Sequence, residues 1–324
     1  MKMERISVQD IYAARERIKD YIHVTEMHSS RILGECSGNR VFLKPENFQR
    51  VGAFKFRGAM NALLAMDPQV RKRGVVTGSS GNHGQAVARA AQILGVPATI
   101  VVPQDASPAK TQAIAAYGAR LEHFGTSSVE RIARAKMLAQ EGGMYFVHPF
   151  DDPLVMAGQG TAGLEIYRDL PSVEAVLVPC GGGGLISGIA TALKACNPKI
   201  KIYGVEPENS NSTYLSLKKG KRVSLESIAT IADGVRTAIP GENTFPIEQK
   251  YVEEVLLVSE EAIKKGVLFL LERCKMLVEP SGALSVAALL SGVFPEKDCT
   301  VVGLLSGGNM DIRQLFRWME EGRS

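Results

Sequence analysis

Lys55 stands in the run Asn47-Phe48-Gln49-Arg50-Val51-Gly52-Ala53-Phe54-Lys55-Phe56-Arg57-Gly58, hemmed by two aromatic rings and an alanine. If that setting is buried, the ammonium form is disfavoured, and a neutral amine is what condenses with a carbonyl. The same run also fits a lysine that lays its stem on apolar surface and keeps its head in water. The choice turns on what else the chain can bring to the amine.

Three glycine loops supply candidates. Each follows an expected strand and opens an expected helix, which sets backbone N–H groups and a positive helix end at the carboxyl edge of a sheet, where anions bind. In Cys180-Gly181-Gly182-Gly183-Gly184-Leu185, four successive glycines remove every Cβ and let backbone wrap a phosphate. A dinucleotide loop and a plain tight turn also fit. Glu206 lies where a ribose-binding acid is expected, although neither frame gives Gly-x-Gly-x-x-Gly/Ala. Gly78-Ser79-Ser80-Gly81-Asn82-His83-Gly84-Gln85 gathers two hydroxyls, an amide and an imidazole at a helix start, a set able to clamp a carboxylate. Its alternative is an N-cap made by Ser79 or Ser80. Ser306-Gly307-Gly308-Asn309-Met310-Asp311 could turn a hydroxyl toward a ring nitrogen, or be a turn in which Asn309 or Asp311 caps the last helix.

The elements that must hold these loops follow a βαβ rhythm. Short β-branched runs at 75–77, 98–102, 121–124 and 145–147 alternate with alanine-rich amphipathic stretches, and a second series occupies 175–178, 200–205, 255–258 and 300–305. This predicts an α/β protein with two doubly wound, mostly parallel sheets. The proline-rich segment 148–153 marks a crossing between them. The expected division is a discontinuous large cofactor-binding domain, 1–65 with 152–324, and a small mobile domain, 74–151. Residues 208–248 have weak periodicity and are expected to form a loop-rich cover. The apolar run 267–271 is read first as core, with a dimer face as the alternative.

Bulk properties exclude other classes. The net charge of +4 is dispersed, and the basic clusters 71–73 and 218–222 carry no aromatics for stacking on bases, so no nucleic-acid partner is expected. Five scattered cysteines without a Cys-x-x-Cys pair indicate reduced thiols and a cytoplasmic setting. A charged amino terminus, with no run near ~18 apolar residues, indicates no membrane segment.

Taken together, residues 46–55, Ser79-Ser80-Gly81-Asn82-His83-Gly84-Gln85-Ala86, Gly181 to Leu185 and Ser306-Gly307-Gly308-Asn309 strongly resemble the pyridoxal-phosphate fold-type II family. The likeness is greatest to serine/threonine dehydratases and serine racemases. It runs from about Ser7 to Met319, and Ala157-Gly158-Gln159-Gly160-Thr161 and Ile231-Ala232-Asp233-Gly234 add to it. The resemblance implies that Lys55 bonds the aldehyde of pyridoxal 5′-phosphate, with Phe54 near the ring. It also implies that Asn82 meets the phenolic oxygen, that Gly181, Gly182, Gly183, Gly184 and Leu185 hold the phosphate, and that Ser306 meets the ring nitrogen. Ser79, Ser80, Gly81, Asn82 and His83 would hold the substrate carboxylate.

The implied reaction is dehydration and deamination of L-threonine and L-serine, with Lys55 taking the Cα proton. Serine racemase, in which Ser80 protonates the opposite face, and threo-3-hydroxyaspartate ammonia-lyase are the alternatives inside the family. A nicotinamide dehydrogenase and a non-catalytic amino-acid-binding module are those outside it. Some relatives carry an acidic metal ligand six residues after the position of Glu206. Ser212 stands there, which leaves Glu206 and the Ser210 carbonyl with a neutral third ligand and argues against tight divalent-metal binding. A homodimer or homotetramer is expected, and no regulatory domain follows the short tail, so feedback inhibition by isoleucine is not.

Overall fold

The computed structural model describes residues 6–106 and 108–321. Among them, ten strands build two sheets: β1 (His28–Ser29), β2 (Arg40–Pro45), β3 (Val75–Gly78), β4 (Ala98–Val102), β5 (Arg120–His123), β6 (Tyr145–Phe146), β7 (Ala175–Pro179), β8 (Lys201–Pro207), β9 (Glu254–Val258) and β10 (Thr300–Leu305). One sheet runs β1-β2-β10-β7-β8-β9 and the other β5-β4-β3-β6. Every pairing is parallel except β1 with β2. Parallel neighbours need crossover connections, which the helices between these strands provide. The fold class is therefore α/β, as the alternation of β-branched and alanine-rich runs predicts.

β1 and β2 escaped the sequence pattern. β2 lies beside β10 near the middle of the larger sheet, but its fifth residue is Lys44, fully buried, where a hydrophobic run should continue. The charge is tolerated because Lys44 Nζ donates to Glu165 Oε2 and to Thr25 O, both at 2.6 Å. Arg57 completes a buried cluster. Its guanidinium spans Glu46 (2.7 and 2.8 Å) and Glu165 (2.6 and 2.8 Å), and Thr25 Oγ1 donates to Glu46. Two cations thus face two carboxylates out of water, an arrangement viable only while every partner is present.

This cluster seats the helix Lys55–Ala65. The same helix crosses Pro153–Asp169 so closely that a Cβ on Gly58 would lie 2.4 Å from Gln159 Nε2, and one on Gly158 2.6 Å from Arg57 O. Gln159 Oε1 accepts the Gly58 N–H (3.2 Å) and Thr161 Oγ1 accepts from Arg57 (3.2 Å), so the Ala157–Thr161 motif is a docking surface for the lysine-bearing helix.

The cover segment is more regular than weak periodicity indicated. It contains the helix Ser212–Lys219, a single tight turn at Asp233–Val235 and the start of the helix Phe245–Tyr251. Val267 and Leu270 are fully buried in the core with Tyr203, Leu256 and Leu284, while Leu268, Phe269 and Leu271 are partly buried against it. Among the described residues no helix is long and apolar enough to cross a membrane.

Candidate active site

Lys55 is the first residue of its helix, and the chain just before it is held by the loop after β10. Phe54 N donates to Ser306 O (3.1 Å), Ala53 bridges Gly307, and Gly308 N donates to Gly52 O (2.9 Å). Gly52 adopts φ +72° to make this turn, and a Cβ there would lie 2.7 Å from Asn309 Oδ1. These contacts join segments some 250 residues apart and set Lys55 beside Ser306, which is only 4% exposed.

The Lys55 amine donates to Pro149 O at 2.7 Å and lies 5.0 Å from the Phe54 ring centre. Burial pushes its pKa down to about 8, against a smaller upward pull from the Glu279 charge. An amine so placed is far more available as a base or nucleophile near neutrality than an ordinary lysine.

The loop after β3 delivers its polar set without using it for capping. The helix Asn82–Leu94 begins after Gly81 with no side-chain cap, and Ser79 Oγ reaches only the Gly81 N–H at 3.4 Å. Ser79, Ser80 and Gly81 are half-buried, and the serine N-cap alternative is not what the loop adopts. Asn82 Nδ2 donates to Glu279 Oε1 (2.7 Å), while its oxygen accepts from Asn309 Nδ2 (2.8 Å), which also reaches Val51 O. His83 is buried with Nε2 3.1 Å from Val147 O, which places the ring proton on Nε2 and leaves Nδ1 without a partner. Burial, then the nearby Lys55 charge, hold the His83 pKa down at about 3, so the ring is neutral.

The four-glycine loop follows β7, with Gly183 at φ +90° immediately before the helix Gly184–Cys196. No side chain caps that helix, so the first-turn N–H groups remain available to an anion. The loop carbonyls turn the other way: Gly182 O accepts from Thr244 Oγ1 (2.8 Å) and Gly181 O from Thr213 Oγ1 (3.3 Å). Phe150 closes one side, since a Cβ on Gly182 would fall 2.3 Å from its ring, and Leu185 is buried below. Pro149 and Phe150 therefore connect the Lys55 amine to the glycine loop.

Glu206 and Ser210 lie elsewhere. The two Glu206 oxygens accept the N–H groups of Thr213 (3.0 Å) and Tyr214 (2.9 Å), and Ser210 Oγ donates to Val235 O (3.2 Å). Glu206 thus anchors the start of Ser212–Lys219, and a ribose-binding role has no free oxygen to use. Among the described residues no three His, Cys, Asp or Glu side chains gather as a metal site requires. At the third loop, Asp311 Oδ1 does accept the Arg313 N–H (3.0 Å) at the start of the last helix, whereas Asn309 turns to Asn82.

Sequence reasoning missed Glu279 and the Pro149-Phe150 pair. Glu279 is buried, its N–H donates to Gly307 O (3.1 Å), and its carboxylate faces Asn82 and Lys55. Its one local signal is the step Glu279-Pro280-Ser281-Gly282-Ala283, an acid directly ahead of a proline-opened turn and helix.

Residues 18–307 match the family described as pyridoxal-phosphate dependent enzymes. The chain is 44% identical over 317 residues to an L-threonine ammonia-lyase of Thermotoga maritima, covering 98% of this chain and 79% of that one. A solved threonine deaminase from T.th. superposes with TM-score 0.89 at 46% identity, covering 94% of this chain and 99% of that one. Maize serine racemase superposes at 0.93 with 37% identity, covering 99% and 98%. With a partly desolvated lysine amine, an uncapped glycine loop and these likenesses in place, the chain belongs to the family of pyridoxal-phosphate dependent enzymes.

Proposed function

We propose that this chain is an ammonia-lyase that removes water and then ammonia from L-threonine and L-serine, giving 2-oxobutanoate or pyruvate. The observation that carries the reading is the buried Ser306, tied through Phe54 to the base of Lys55. The similar threonine ammonia-lyase and threonine deaminase support the substrate class.

The residues fit the cofactor. A Cβ at Gly182 would overlap Phe150 and one at Gly183 would lie 2.0 Å from Glu248 Oε1, so glycine alone leaves an open loop at an uncapped helix. In this reading Gly181 to Gly184 and Leu185 hold the phosphate, Asn82 meets the phenolic oxygen, Phe54 flanks the ring and Ser306 faces its nitrogen. When bound, the cofactor supplies a carbonyl for the substrate amine and an acceptor for the electron pair released at Cα. Ser79, Ser80, Gly81, Asn82 and His83 orient the substrate carboxylate with hydroxyl, amide and backbone N–H donors, while the His83 ring keeps its Nε2 proton on Val147 O. Lys55, its amine weakened as a base by burial, takes the Cα proton within reach of neutral pH. Ser306 offers a hydroxyl where a carboxylate would fix a proton on the ring nitrogen, which favours prompt departure of the β-hydroxyl.

Residues 74–151 act as the small unit that closes over the substrate and limits water entry, against a large unit of 1–65 and 152–324. The Pro149 contact to Lys55 supports a coupling between that closure and the base. A cytoplasmic homodimer or homotetramer completes the proposal. Phe316, 62% exposed on the last helix beside exposed Ile312 and Met319, supports self-association. Glu206 and Ser210 have no part in the reaction.

Serine racemase is the second reading, favoured by the close superposition with the maize enzyme. It requires Ser80 to deliver a proton on the face opposite Lys55. Purified protein given L-threonine, L-serine and L-threo-3-hydroxyaspartate in parallel, scored for 2-oxo acid and product chirality, separates the readings. Dominant 2-oxobutanoate from threonine is expected; dominant D-serine, or turnover of hydroxyaspartate alone, would replace the proposal.

The loop assignment has its own test. Gly182→Ala drives a methyl into Phe150, and overpacking of this kind costs about 1–3 kcal/mol. We expect cofactor affinity to fall by roughly tenfold or more while far-ultraviolet circular dichroism is unchanged. Undiminished affinity would remove the phosphate from this loop.

A further inference from the structure

Behind the glycine loop lies a group that the reaction does not use. Among the described residues, Glu248 is the carboxyl with both oxygens buried and without a hydrogen-bond partner. It sits on the helix Phe245–Tyr251 and is 0% exposed. Its Oε1 rests against Gly183, close enough that a Cβ there would come within 2.0 Å. Thr244, one turn earlier, donates to Gly182 O, so this short helix is braced directly on the loop.

The titratable groups bearing on Glu248 are Glu206 at the end of β8, Asp151 ahead of Pro153–Asp169, and Cys180 just after β7. All are acidic, and among the described residues no lysine or arginine forms an ion pair with it. Glu206 and Asp151 already have their oxygens engaged, Asp151 by the N–H groups of Glu242 and Asn243. A dry carboxylate with neither oxygen satisfied and like charges nearby is too costly to remain ionised; it keeps its proton and becomes an O–H donor. Burial first, then the charges of Glu206 and Asp151, push its pKa up to about 8.

We propose that Glu248 is a positioning residue for the cofactor phosphate: a neutral carboxyl behind Gly183 whose proton complements the anion in the loop, and whose ionisation loosens the cofactor. This rests on the reading of Gly181 to Gly184 as the phosphate holder. The sign follows from charge. A phosphate ester is a dianion well above its second pKa of about 6, so from pH 7 to 9 the phosphate charge is constant while Glu248 turns from neutral to negative. Affinity must fall as pH rises through that range.

Equilibrium dialysis of full-length holoenzyme at pH 7 and pH 9, wild type beside Glu248→Gln, tests this. Glutamine is a neutral isostere that folds into the same space and cannot ionise. For a group titrating near 8, wild-type affinity for pyridoxal 5′-phosphate should weaken about tenfold more than that of the variant between the two pH values. Lys55, and Glu206, whose pKa burial pushes up to about 7, are present in both proteins and cancel from the comparison. The ³¹P resonance of the bound phosphate should move over this range in wild type and stay fixed in the variant. Parallel pH dependence and parallel resonances would overturn the role of Glu248. Competition with pyridoxine 5′-phosphate and with pyridoxine separates the two levels. If the phosphate ester competes no better than the alcohol, the loop does not hold phosphate and the inference falls with that reading. If it competes better and the pH slopes are still parallel, the Glu248 assignment alone fails.

Discussion

Replacing Lys55 with alanine is expected to lower turnover of L-threonine by about 10⁴-fold or more, the upper end of what one positioned proton-transfer group contributes. Two roles are lost together, because the proposal gives the same amine both the covalent bond to the cofactor and the Cα proton. The visible absorbance of the holoenzyme should disappear, and borohydride should trap no cofactor on the chain. Lys55→Arg is the informative companion. It can still donate to Pro149 O, as the lysine amine does at 2.7 Å, but a guanidinium does not surrender its proton near neutrality. Both variants should be equally inactive, with thermal midpoints close to wild type. A coloured, borohydride-trappable Lys55→Ala protein would place the covalent bond on another lysine and overturn the site.

The largest effect on stability is expected at Arg57, two residues along the same helix. Arg57→Met leaves Glu46 and Glu165 in a dry interior with Lys44 as their remaining cation. Breaking a buried ion cluster by removing one partner costs about 3–5 kcal/mol, because the charges left behind lose compensation. Burial by itself would raise the Glu46 pKa, but the Arg57 charge and hydrogen bonds outweigh it and the net direction is down. This contribution is therefore complete above the ordinary glutamate range of about 4.3 and disappears as pH falls through the depressed folded value. Urea unfolding of wild type and variant at neutral pH measures the loss. A difference below about 1 kcal/mol would mean that water reaches the cluster and that its charges are not interdependent. Arg57→Lys should fall between, since it retains the charge without the two-pronged fork that spans both carboxylates.

These two residues show where legibility ended. Lys55 could be singled out because its neighbours announce an apolar setting, and the three loops because glycine runs betray backbone demands that are local to the chain. Gly183 at φ +90° is such a demand. Eight of the ten strands followed from β-branched runs for the same reason. Lys44 reversed the logic: read locally it breaks a strand, and only Glu165, 121 residues away, together with the Thr25 carbonyl makes its burial tolerable. The cover segment hid the helix Ser212–Lys219 because the interaction that starts it is the carboxylate of Glu206 on the preceding strand rather than a residue at its own cap.

By itself the sequence determined the α/β alternation and marked out a candidate amine and loops able to receive anions, since strand propensity, helix periodicity and glycine conformations act over a few neighbouring residues. Only the tertiary structure decided which groups meet. Glu279 reaches Asn82 across 197 positions, Pro149 reaches Lys55 across 94, and Glu248 comes to rest on Gly183 from a separate helix. Each juxtaposition sets a protonation state through burial and nearby charge, and those quantities depend on distances in space that no spacing along the chain encodes.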